Sequence, residues 1–169
     1  MKLTGTYNGK PIELELTEEQ VEVLKQAEKK KTGWERVKKS WLCFCHNAYN
    51  ECAYASEFGG EATDKLFDCA NYFSDETLAK NIIRAQTLQR KLWRRSAELC
   101  DKVDWTNKDI KKYCIRYAYE NNNLYANTRW TCRGFGEIYF DTEEHAEQVI
   151  KEFRDELIWY FTKFESRMD

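Results

Sequence analysis

The stretch "SDETLAKNIIRAQTLQRKLWRRSAELC", residues 74–100, constrains the fold more than any other part of this chain. At about 100° per residue, Leu78, Ile82, Ala85, Leu88, Leu92 and Leu99 fall on one stripe. Lys80, Arg84, Lys91, Arg94 and Arg95 cluster on a different arc. Acidic Asp75 and Glu76 follow Ser74 in the first turn, where the helix dipole favours negative charge. A long helix opened by Ser74 follows, with one apolar and one basic side. Its apolar side must be buried against another layer.

The residues that follow supply such a layer. "KYCIRYAYE" alternates with Tyr113, Ile115, Tyr117 and Tyr119 on one face. "NNN" turns the chain, "LYANTRWTCR" returns, and "FGEIYF" reads as a third strand. "DTEEHAEQVIKEFRDELIWYFTKF" then reads as one closing helix capped by Asp141 or Thr142. Its stripe is Ala146, Val149, Ile150, Phe153, Leu157, Phe161 and Phe164. The order β-β-β-α predicts a C-terminal antiparallel three-stranded sheet with a covering helix.

The N-terminal part reads differently. In "KLTGTYNGKPIELEL", Asn8-Gly9 suits a two-residue type I′ turn, because both residues tolerate positive φ. That register sets Leu3 opposite Leu14 and Gly5 opposite Ile12. Pro11 lacks an N–H and so belongs on an edge. Thr17 and Gln20 form a capping box for a helix reaching the lysines at 29–31, and Gly33 fits its stop. "GWERV" and "WLCFCH" read as strands, "CAYAS" pairs back across "NAYN", and "EFGGEATDKLFDCANYF" is a loop with a helical turn or two. The whole predicts an α+β fold: N-terminal β-hairpin plus helix, central hairpin, long amphipathic helix and C-terminal sheet. Modules at 1–73 and 74–169 are expected, or one continuous domain.

Seven cysteines are an odd number, and "MKLTGTYNGK" lacks the apolar run of a signal peptide. Reduced thiols in a cytosol are therefore expected, and no segment is apolar enough for a membrane span. Pairing Cys45 with Cys52 keeps the alternation of the central hairpin. Cys43, Cys45 and Cys52 then share a face, with His46 pointing away. Buried apolar packing is one reading of that face, since free cysteine behaves as a small hydrophobe. A structural zinc held by Cys43, Cys45, Cys52 and Cys69 is a second, and a disulfide a third.

The basic arc of the long helix has two readings, phosphate contact or an ordinary solvated face. Trp159 and Tyr160 read as core packing or as a protein-binding anchor. The chain has two histidines, His46 and His145, and no zincin spacing, nucleophile elbow or P-loop. "GFG", Gly134 to Gly136, reads as a bend rather than a phosphate cradle. No enzyme is expected.

"GTYNGKPIELELTEEQ", "GWERV", "ANYFSDETLAKNIIRAQTLQRKLWRR" and "FGEIYFDTEEHAEQVIKEF" carry a resemblance. In these pieces and their order, the chain resembles a group of small proteins from phages and prophages of Firmicutes. Several of them belong to sets of type II anti-CRISPR inhibitors. The group fills the hairpin with tyrosines and other apolar residues where this chain has "WLCFCH". The resemblance implies a phage protein acting in the host bacterial cytoplasm. Its partner would be a CRISPR effector nuclease or the guide-RNA complex, blocked by stoichiometric binding before DNA loading or cleavage. The alternative is a nucleic-acid-binding phage regulator that uses the basic face of the 74–100 helix.

Overall fold

The computed structural model describes residues 2–7, 10–21 and 31–167. The chain is an α+β protein that divides into two compact units, Met1–Thr32 and Gly33–Met168. The boundary falls at 32/33, not at the expected 73/74, because the cysteine hairpin packs on the long helix.

In the first unit, β1 (Lys2–Tyr7) pairs antiparallel with β2 (Lys10–Glu15). Leu3 faces Leu14 and Gly5 faces Ile12, the expected register, with Pro11 opposite Thr6. The Asn8-Gly9 turn and the helix body over 22–30 lie outside the described residues. The capping box is formed: Thr17 N donates to Gln20 Oε1 at 3.0 Å, and Gln20 N to Thr17 Oγ1 at 3.2 Å.

The second unit opens with the irregular segment around Trp34, not with the strand expected of "GWERV". Its groups bind one at a time instead of forming a ladder. Trp34 Nε1 donates to Ser166 O at 2.7 Å, and Val37 N to the Tyr72 hydroxyl at 3.0 Å. Strands β3 (Leu42–His46) and β4 (Cys52–Ser56) form the central hairpin. Helix α1 (Glu61–Asp68) follows, then helix α2 (Glu76–Leu99). Asp75, rather than Ser74, caps α2 and accepts from Leu78 N at 2.7 Å.

Phe44 and Phe73 exchange backbone hydrogen bonds of 2.8 and 2.9 Å, which ties the hairpin to the start of α2. Phe73, Leu78, Ala79 and Ile82 form a buried cluster there, against which Phe44, Cys52 and Trp34 pack. Further along α2, Leu88 and Leu92 enter a second cluster with Leu124, Phe140, Val149 and Leu157.

That second cluster lies under the three-stranded sheet, order β6-β5-β7, built from β5 (Lys112–Ala118), β6 (Asn123–Arg129) and β7 (Tyr139–Phe140). Strand β7 is shorter than "FGEIYF" suggested, because Gly134 to Glu137 are spent on a turn. Tyr113, Ile115 and Tyr117 pack on the core as expected. Tyr119 lies beyond the strand, its hydroxyl on Phe161 O at 2.5 Å. The closing helix is kinked into α3 (Glu143–Glu152), which crosses all three strands, and α4 (Arg154–Lys163). Phe153, at φ −112° and ψ 22°, makes the kink while Leu157 N still donates to Phe153 O at 2.9 Å. The change of direction keeps Leu157, Ile158 and Phe161 on the same cluster as Ala146 and Val149, and brings Phe164 to the first cluster.

Candidate functional site

The cysteine hairpin differs from the expected register by one residue. His46, not Cys45, faces Cys52, while Cys45 faces Ala53 and Cys43 faces Ala55. A slip of one residue turns side chains to the opposite face. Cys52 therefore shares a face with Phe44 and His46, and Cys43 and Cys45 occupy the other. The turn sets this. Asn47 Oδ1 accepts from Tyr49 N and Glu51 N, both at 2.9 Å, and Asn50 takes φ +67°. Such side-chain-to-backbone bonds specify a turn that spacing of apolar residues does not reveal.

Cys43 is buried and donates to Ala55 O at 3.3 Å. Burial pushes the Cys43, Cys45 and Cys52 thiols above their ordinary values. Cys69 is exposed at the end of α1, its Sγ 3.4 Å from Leu66 O. Among the described residues, these four do not converge as metal ligands.

The basic arc of α2 is engaged internally. Lys80 pairs with Glu76 at 2.7 Å, Lys91 with Glu156 at 3.1 Å, and Arg94 with Glu98 at 3.9 Å. Arg95 reaches both Glu98 at 3.1 Å and Glu152 at 2.8 Å. Arg84 lies over the Trp159 ring, 3.9 Å from its centroid. Three of these partners, Glu152, Glu156 and Trp159, come from the closing helices, so the helix's own sequence could not reveal them.

Tyr160 points elsewhere, into a groove between α2, β5, the Gly134–Glu137 turn and α4. Its volume is about 380 Å³, and its floor is the core itself: Leu88, Leu92, Cys114 and Leu157. At the lip stands Phe135, wholly exposed between two glycines. Gly136 takes φ +74°, and a Cβ on Gly134 would come within 2.5 Å of Glu137. Glu137 is the anchor of this turn. It binds Arg116, Arg129 and the Tyr139 hydroxyl, and Gly134 N donates to that hydroxyl at 2.5 Å. The bend expected of "GFG" is present, but its use is to hold an aromatic ring out in water, which sequence reasoning missed. A Phe bracketed by glycines was the available signal.

A second group was also missed. Cys100 at the C-cap of α2, Asp141 after β7 and His145 in the first turn of α3 bring their ligand atoms within 4.8 Å of one another. His145 Nδ1 is 2.7 Å from Asp141 Oδ1 and 3.8 Å from Cys100 Sγ. Asp141 Oδ2 accepts from Asp101 N at 3.1 Å. Burial opposes ionisation of Asp141, but hydrogen bonds from His145, Cys100 and Asp101 outweigh it and hold the carboxyl below its ordinary range. Burial pushes the Cys100 thiol up. A thiol-imidazole-carboxylate relay needs the acid on one ring nitrogen and the thiol on the other. Here both meet Nδ1, so the geometry is not that of an activated nucleophile. Asp141 and His145 stand four residues apart, but Cys100 reaches them only through the fold.

Comparison with protein-family models, curated proteins and solved structures returns no match.

Proposed function

We propose that this protein is a stoichiometric binding inhibitor. It docks through the groove at Phe135 and Tyr160 and works without turnover. The observation that carries this reading is the exposed Phe135 at the lip of an apolar groove. Exposing a phenyl ring to water is costly, and aromatic rings at pocket rims are frequent anchors of protein interfaces. The resemblance to phage proteins supplies the partner: a type II CRISPR effector nuclease, or its guide-RNA complex, in the host bacterial cytoplasm. Occupying the effector's surface would block DNA loading or cleavage. Among the described residues, no helix is long and apolar enough to cross a membrane.

The alternative is a phage regulator that grips nucleic acid with α2. It has less support, because each of Lys80, Lys91, Arg94 and Arg95 already has a carboxylate partner and Arg84 an aromatic one.

The test is a DNA-cleavage assay with purified type II effector and guide, titrated with this protein. Inhibition should saturate near one protein per effector. Phe135→Ser with Tyr160→Ser should abolish it, while Arg84→Ala with Lys91→Ala should leave it. No inhibition at large excess would remove that effector as the partner. Loss only in the Arg84/Lys91 variant would favour the regulator.

A further inference from the structure

We infer that Cys100, Asp141 and His145 form a zinc site that fastens the end of α2 to the β7–α3 junction. The donors are one sulfur, one imidazole nitrogen and one carboxylate oxygen. This mixed set suits zinc and not the oxygen-preferring magnesium or calcium. With metal–ligand bonds of ~2.0–2.3 Å, ligand atoms of a tetrahedral zinc site lie roughly 3.3–3.7 Å apart. The Cys100–His145 separation of 3.8 Å lies just above that spacing. Asp141 and His145, 2.7 Å apart, need to separate by less than ~1 Å as the ion replaces their hydrogen bond.

The three donors are held from behind. Cys100 N donates to Ser96 O at 2.9 Å, which fixes the thiol at the helix end. Asp101 N holds the carboxylate oxygen that faces away from His145, the second support expected of a metal-ligating carboxylate. Thr142 Oγ1 accepts from His145 N at 3.2 Å, capping α3 and setting the imidazole's position.

The charges balance. Zinc displaces the Cys100 proton to solvent and meets one thiolate, one carboxylate and one neutral imidazole. The ion's two positive charges are then neutralised. The side chains of Asp141 and His145 are 26% and 31% exposed, which leaves an ion a way in and water a place as fourth ligand. The ion's role here is to fasten two segments. It joins residue 100 to residues 141 and 145, which chain connectivity leaves far apart.

Cobalt(II) reports such a site directly, because a bound thiolate gives a charge-transfer band and a tetrahedral field gives intense visible bands. The full-length, reduced and chelator-treated chain is titrated with Co²⁺, then with Zn²⁺. One equivalent of Co²⁺ should raise both bands, and Zn²⁺ should bleach them. Cys100→Ser should remove the charge-transfer band, and His145→Gln or Asp141→Asn should weaken Co²⁺ binding at least tenfold. Cys52→Ser and Cys69→Ser should leave the spectrum unchanged. Circular dichroism of each variant confirms that it is folded. A band that survives Cys100→Ser, or natively folded wild-type protein that gives no band, overturns the assignment.

Discussion

The Tyr72 hydroxyl offers the sharpest test of what holds the second unit together. Tyr72 is almost completely buried. Its hydroxyl donates to Glu57 Oε2 at 3.0 Å and accepts from Val37 N at 3.0 Å. Glu57 is buried too, and collects further bonds from Arg36 Nε at 3.1 Å, Gly59 N at 2.7 Å and Thr63 Oγ1 at 3.1 Å. Tyr72→Phe keeps the ring, and with it the edge-on contact to Phe67 at 5.5 Å. Only the hydroxyl is lost. A hydrogen bond to a charged group is worth ~1.5–3 kcal/mol, and orphaning the half-buried Val37 amide adds a cost at the low end of ~1–3 kcal/mol. The two overlap, so a loss of ~3 kcal/mol is expected. For a chain of this length that lowers Tm by ~6–12 °C. Urea unfolding followed by tryptophan fluorescence measures it. A loss below ~0.5 kcal/mol, the range of an ordinary surface change, would refute the network.

The same variant has a pH signature. Hydrogen bonds, that from Arg36 foremost and that from Tyr72 among them, hold the Glu57 carboxyl at about 2, against an ordinary 4.5. A carboxyl depressed by folding stabilises the protein above its unfolded value. That contribution fades as pH falls from about 4.5 to about 2. Tyr72→Phe removes one depressing bond, so the variant should unfold at higher pH than wild type in an acid titration. An unchanged acid midpoint would contradict the assignment.

Three further substitutions probe other parts of the fold. Phe140→Ala empties the most buried ring of the sheet, with 0% exposure, and should cost ~3–5 kcal/mol in urea unfolding. Gly134→Ala pushes its new methyl into Glu137 and should weaken partner binding more than it lowers Tm, read by titration beside thermal melting. Arg84→Ala removes the cation over Trp159 and should cost ~0.5–2 kcal/mol; an equal loss in a Trp159→Ala background would show that the two do not couple.

The elements that were legible in the sequence are those whose signals are local. The β1–β2 register follows from alternation and a turn pair, and the Thr17–Gln20 box from residues three apart. The stripe of α2 follows from one period kept over the whole helix. Misreadings arose where a distant group decides. "GWERV" has strand-like residues, but Trp34 and Val37 find partners at Ser166 and Tyr72, so no ladder forms. The closing helix keeps one apolar stripe in sequence, yet kinks at Phe153 to follow the core. In the cysteine hairpin, a turn held by Asn47 shifts the register by one and separates three thiols that alternation had grouped. The metal-capable group lies elsewhere, assembled from two segments that sequence spacing does not connect.

The distinction between a groove binder and a cationic binder reduces to a salt titration. Lys91 and Arg95 pair with Glu156 and Glu152 on the closing helices in half-exposed ion pairs. If five such cations instead met phosphates, each would release condensed counterions. The slope of log K against log salt would be about −4.5, and a fourfold rise in salt would weaken binding roughly 500-fold. An apolar ring entering a partner pocket from the Phe135 lip releases no counterions, and its burial does not weaken as salt rises. Affinity for the effector should therefore change less than about tenfold over the same range. A slope near −4.5 that falls to about −1.8 in the Arg84, Lys91 and Arg95 alanine variant would transfer the binding site from the groove to α2.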